Sequence, residues 1–165
     1  MKPNGQLSTI IFVAGRFIAG GMYLMAGIEN LLQLDAKAGY TASKGVSNAA
    51  FWVTVSSLLL VLGGASIITG IRPHIGVAAV TIFLIPVTLI MHNFWIMTGV
   101  QATIEFHAFM GNVGLLGSAL LFVAIPQPWA LSVDKWVISN AAMFRGSRER
   151  VAGRQNRVAD AQVTK

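Results

Sequence analysis

Three stretches of the chain contain no Asp, Glu, Lys or Arg: 27 residues between Lys44 and Arg72, 32 between Arg72 and Glu105, and 28 between Glu105 and Asp134. A helix that crosses the hydrocarbon core of a bilayer needs about 20 mostly apolar residues. Each stretch can hold one, and the windows 50–71, 75–98 and 106–125 read as membrane spans. A fourth window, 7–28, reads the same way with Arg16 as its one charge. Charged residues make up 11% of the chain, against roughly 25% in an average soluble domain. That balance excludes an ordinary water-soluble domain, and the high hydrophobicity excludes disorder. Only Lys2 is basic before Arg16, and the apolar pattern runs on well past leader length. The first window is therefore expected to be a span and not a cleaved leader.

The connections expected between the spans are 31–49, the turn from Gly70 to His74 and the segment 99–104. Pro73 is placed to end one helix and open the next. Short links force consecutive helices to run up and down. In lipid, helices satisfy their own backbone. The expected fold is all-α: an integral membrane antiparallel four-helix bundle over 1–125, followed by a C-terminal interfacial amphipathic helix over 126–144 and a basic tail over 145–165. The helix rests on Trp129, Leu131, Val133, Trp136, Val137, Ile138, Met143 and Phe144 among polar residues, the pattern of a helix lying in the headgroup region. Nine basic residues fall on one side of the membrane, namely Lys2, Arg72, Lys135, Arg145, Arg148, Arg150, Arg154, Arg157 and Lys165. Only Lys37 and Lys44 fall on the other. Both termini are thus expected to be cytoplasmic. The arginine-rich tail reads as a positive-inside segment near anionic lipid. No nucleic-acid partner is expected, because no fold is left there to present the arginines.

The chain has no cysteine. It can supply no disulfide, thiolate nucleophile, Cys-ligated zinc or iron–sulfur cluster. Its chemistry must come from the ionisable and polar residues inside the spans, which are costly there and so are site candidates. Arg16, Gly20, Tyr23, Gly27 and Asn30 lie within about 40° of one another at 100° per residue. That face is expected to look into the bundle, with Gly20 and Gly27 allowing close helix approach. Three readings of Arg16 compete: snorkelling to the headgroups, contact with a ligand or partner, and an interior hydrogen-bond hub. In the third span Thr81, Thr88 and His92 share a face, with Pro86 between them. In the fourth, His107, Gly111, Gly114 and Ser118 share a face with Asn112 beside it, and Gly111, Gly114 and Gly117 suggest tight packing.

Glu29, Asn30, His92, Asn93, Glu105 and His107 gather in the outer third of the membrane in this reading. The cluster fits a hydrated helix-end network or a proton-relay site at a quinone headgroup, since imidazole and carboxylate exchange protons near neutral pH. A haem or metal site through His92 and His107 is the weaker alternative, and no metal is expected. His74 reads as a surface residue. No phosphate loop, dinucleotide fingerprint or nucleophile motif is present, and no internal repeat points to an inverted-repeat transporter.

The first-span run Gly15-Arg16-Phe17-Ile18-Ala19-Gly20-Gly21-Met22-Tyr23-Leu24-Met25-Ala26-Gly27, the segment His92-Asn93-Phe94-Trp95 and the segment Phe109-Met110-Gly111-Asn112-Val113-Gly114-Leu115-Leu116-Gly117 together resemble the DoxX family. These are small four-helix membrane proteins of bacteria and archaea. The resemblance spans about 7–125. It implies a redox-associated membrane subunit, since relatives are linked to thiosulfate:quinone oxidoreduction, quinol oxidase assemblies and oxidative-stress complexes. It carries over Arg16, His92 and Asn112 as site candidates. Family members often hold a lysine after the first-span glycine and another before the fourth-span asparagine, where this chain has Asn30 and Gly111.

The expectation is an inner-membrane subunit or accessory of a quinone-linked redox system. Arg16, Tyr23, Asn30 and Asn112 are its candidate cofactor-binding residues. His92, Glu105 and His107 are its candidate catalytic, proton-handling residues. Quinone is the candidate cofactor. The lipid bilayer, a redox-partner subunit and a second copy of the chain are the candidate partners. The residues leave open whether the chain is itself an enzyme. The alternatives are a non-catalytic assembly subunit and a small-molecule permease.

Overall fold

The computed structural model describes residues 5–143 and 145. Lys2, Phe144 and all of the basic tail beyond Arg145 lie outside the described residues. The described residues are helical and contain no strand. In chain order, α1 spans Gly5–Leu32, α2 Leu34–Ser43, α3 Ala49–Thr69, α4 Pro73–Met91 and α5 Gly99–Leu121, with short 3-10 turns at Phe94–Ile96 and Phe122–Ala124. A last helix, α6, occupies 133–143. Four helices are long and apolar enough to cross a membrane, and the chain is a multi-pass membrane protein.

Local chemistry sets the ends of these helices. Gly70 closes α3 in the left-handed region (φ 68°), and its N–H donates to the Ser66 carbonyl at 2.8 Å. A glycine takes this conformation without steric cost. Pro73 then opens α4, where its missing N–H would have had no partner anyway.

Small residues bring the spans together. A methyl group on Gly64 would lie 2.6 Å from both the Gly20 carbonyl oxygen and the Leu24 nitrogen. One on Gly27 would lie 2.7 Å from the Ser57 carbonyl oxygen, and one on Gly63 2.9 Å from that of Gly76. In lipid, where burial of apolar surface drives little, such backbone approach is what holds helices together. Tyr23, Leu60, Ile67, Val77, Val80, Leu84, Ala119, Phe122 and Trp129 fill the core. The outward faces carry large apolar side chains such as Ile10, Ile18, Met25, Leu62 and Ile82, which suits a lipid surround.

Several sequence expectations are corrected. The connection at 31–49 contains α2, a helix of 10 residues. The link before the last span lies at 92–98, because α4 stops at Met91 and α5 starts at Gly99. The segment 99–104 is therefore the opening of α5, and Glu105 and His107 sit inside a helix. The C-terminal helix begins only at 133, and Trp129 is a core residue, 2% exposed. Gly111, Gly114 and Gly117 pack against nothing: a methyl group on any of them would meet no atom within 4 Å. The glycines that do pack lie on α1, α3 and α4 and at Gly70, the cap of α3, and α5 is the least buried span, at 11%.

Candidate functional site

Arg16, Gly20, Tyr23 and Gly27 are the buried residues of α1, so the face read from helical spacing does look inward. Its two ends meet different surroundings. Arg16 is 1% exposed. Its Nη1 donates to the Ala130 carbonyl at 3.0 Å and its Nη2 to the Leu131 carbonyl at 2.9 Å. The guanidinium also lies 5.6 Å from the Phe17 ring centroid and 6.0 Å from that of Trp129. It does not snorkel, and it is not among the residues lining the cavity at the other end. It clamps the segment after α5 against the start of the bundle. Trp129 packs edge-on to Phe12 at 5.4 Å, and the Arg72 N–H donates to Asp134 Oδ2 at 2.9 Å.

Toward the other end lies a cavity of about 850 Å³. Its wall takes Met22, Tyr23 and Asn30 from α1, Trp52 and Leu60 from α3, Pro86 and His92 from α4 and its end, and Asn112 and Leu115 from α5. Lys37 and Tyr40 of α2 border it. Most of the wall is apolar, with a few polar points, as ligand sites usually are. The Tyr23 hydroxyl donates to the Leu115 carbonyl at 2.6 Å and lies 2.9 Å from Ser118 Oγ, tying α1 to α5. The side-chain amides of Asn30 and Asn112 make no hydrogen bond among the described residues.

His92 follows the last residue of α4, where the helix stops and the imidazole can turn across to α5. Its Nδ1 lies 2.8 Å from Glu105 Oε2. Glu105 is 6% exposed, and its Oε1 accepts from the Tyr40 hydroxyl at 3.1 Å and the Gln101 amide at 3.3 Å. Lys44 Nζ stands 3.8 Å from the same oxygen and 3.3 Å from Asn93 Oδ1. The carboxylate thus gathers donors from α2, α5 and the end of α4. A buried carboxylate is tolerated only with such company, because a lone one costs several kcal/mol or more.

Of the seven site residues expected from the sequence, Tyr23, Asn30, His92 and Asn112 line the cavity, and Glu105 stands behind His92. Arg16 and His107 are not brought to it. His107 is exposed, its Nδ1 is held by the Thr103 carbonyl at 2.7 Å, and its ring meets its neighbour Phe106. Among the described residues no three His, Cys, Asp or Glu side chains form a metal-holding group. Tyr40, Lys44 and Gln101 were missed. Lys37, Tyr40 and Lys44 recur at helical spacing, a signal masked by reading 31–49 as a connection.

The arrangement can bind a largely apolar molecule with a polar end and exchange a proton with it through His92. No curated protein and no solved structure gives a match to the chain. The family model for DoxX matches residues 11–93, which covers α1 to α4 and includes Arg16, Tyr23, Asn30 and His92 but not Glu105 or Asn112. With half of its length so matched, this four-span membrane chain belongs to the DoxX family.

Proposed function

We propose that the chain is a subunit or accessory of a quinone-linked redox system in the inner membrane of a bacterial or archaeal cell. The observation that carries this reading is a cavity of membrane-like lining with His92 on its wall and Glu105 2.8 Å behind the imidazole. A quinone fits the residues present. Its ring and tail would lie against Leu60, Val87 and Ile90, and its oxygens would reach Asn30, Asn112 or His92. When bound, a quinone supplies the exchange of two electrons with two protons. The protein's own residues would bind it, keep water out and move a proton at His92, with Glu105 stabilising the charged ring. The electrons require a partner subunit, since the chain has no thiol. Arg16 and His107 are left out of this role.

The same reading takes the spans as an antiparallel bundle. Gly20 meets Gly64 while Gly27 meets Ser57, an order that runs in opposite senses along α1 and α3. It takes both termini as cytoplasmic, on the excess of Lys and Arg at that side. The cavity then opens toward the outer surface. The test is purification in mild detergent, with mass spectrometry of co-purifying lipids and proteins. Stoichiometric quinone or a redox partner, lost in a folded His92→Ala variant, is expected. Protein free of both quinone and partner would overturn the reading.

A second reading, a non-catalytic assembly subunit, is favoured by α5, whose Gly111, Gly114 and Gly117 are open on the outside. It predicts that large residues at these positions dissolve a complex without touching cavity binding.

A further inference from the structure

We infer that the cavity selects a lipophilic hydroxyl donor, a phenol or hydroquinone, over its ether or carbonyl counterpart, and that Glu105 is the positioning residue that sets this preference through His92. The inference rests on the reading of the cavity as a ligand site and adds which form of ligand it takes.

The argument starts from the carboxylate. Every group around Glu105 is a donor or a cation: the Tyr40 hydroxyl at 3.1 Å, the Gln101 amide at 3.3 Å and the Lys44 ammonium at 3.8 Å. Surrounded in this way, Glu105 is an ionised acceptor. The short contact to His92 Nδ1, at 2.8 Å, then requires the proton on Nδ1. A neutral imidazole with its proton on Nδ1 has an acceptor, and no donor, at Nε2. Glu105 is not part of the cavity wall, whereas His92 is. The edge of the ring carrying Nε2 is the one left for the cavity, and Nε2 has no hydrogen-bond partner among the described residues.

The rest of the wall is mixed. The Tyr23 proton is taken by the Leu115 carbonyl and the Tyr40 proton by Glu105. Lys37, at the border of the cavity, is held by Glu29 at 3.4 Å. The wall therefore has committed its Tyr23, Tyr40 and Ser56 hydroxyls elsewhere, while the Thr41 hydroxyl and the Trp52 indole N–H make no hydrogen bond among the described residues, so the preference rests on Nε2 of His92. Asn30 and Asn112 can serve either kind of ligand, since an amide offers both a donor and an acceptor.

The test uses the full chain in lipid nanodiscs and two probe pairs. The first is 4-nonylphenol and its methyl ether, which share a tail and differ in one O–H. The second is a decyl-substituted hydroquinone and its quinone, handled without oxygen. The phenol and the hydroquinone are expected to bind about tenfold more tightly than their counterparts, the worth of one good hydrogen bond. His92→Phe should bring each pair to equal affinity. Glu105→Gln, which keeps the volume but no longer fixes the imidazole proton, should erase most of the preference. Tyr40→Phe, which leaves the carboxylate in place, should keep it. Thermal unfolding of each variant reports whether it is folded. Equal binding of phenol and ether by the unaltered protein would overturn the inference and leave the ligand-site reading standing. A preference that survives in Glu105→Gln would remove Glu105 from the role. Failure of all four probes to bind would overturn both the inference and the quinone reading.

Discussion

The two ends of this bundle each bury an ionisable side chain, and they do opposite things with it. At one end Arg16 spends its guanidinium on the carbonyls of Ala130 and Leu131. Those partners cannot titrate, both lie in one segment, and the guanidinium sits against the rings of Phe12 and Trp129. At the other end Glu105 is surrounded by side chains that titrate or donate, drawn from three elements, and two of them, Tyr40 and His92, line a cavity. A charge placed mid-membrane costs roughly 2.5–3.5 kcal/mol on insertion scales, so both need partners. The nature of the partners separates a clamp from a site. Arg16 commits both terminal nitrogens to carbonyls, keeps only a buried Nε without a hydrogen bond, and is not part of the cavity wall, whereas the Glu105–His92 pair leaves one imidazole nitrogen open.

That contrast can be broken by substitution. Trp129→Ala should cost the most, about 3–5 kcal/mol, through the cavity it leaves at the Arg16 end. Reversible unfolding in mixed micelles would measure it, with quinone affinity unchanged. Arg16→Met should cost about 3 kcal/mol by stranding two carbonyls that now receive charged hydrogen bonds. If this variant instead kept its stability and lost ligand binding, the assignment of roles to the two ends would be reversed. Glu105→Ala should cost about 1–3 kcal/mol, the penalty for buried donors left unpaired. It should act locally, speeding hydrogen exchange in α2 while the Trp129 end stays protected. Lys37→Ala removes only a half-exposed pair with Glu29 and should change stability by less than about 1 kcal/mol.

How much was legible in the sequence differs between these regions. The inward face of α1 followed from the spacing of Arg16, Gly20, Tyr23 and Gly27, because one helix carries all four and its period is fixed. The membrane spans followed from runs without charge. α2 did not, because a short polar helix between two spans has the composition of a loop, and Gly39 and Gly45 reinforce that impression. The three glycines of α5 were misread for a related reason. Spacing shows that they share a face, but whether a neighbour lies on that face depends on where the other helices stand. His92 and Glu105 were singled out one by one as ionisable residues near a helix end. Their pairing, and the exclusion of His107 two residues further on, depends on the rotation of α5 against the end of α4.

Four spans, the inward stripe of α1 and the lack of thiol chemistry are properties of residue order, since bilayer thickness and helical period act on each segment alone. The roles of Arg16 and Glu105 are not. Arg16 finds its partners at a separation of 114 and 115 positions, and Glu105 meets Tyr40 across 65. A buried charge takes its meaning from whatever group is brought within about 3 Å of it, and that is settled only when the helices pack.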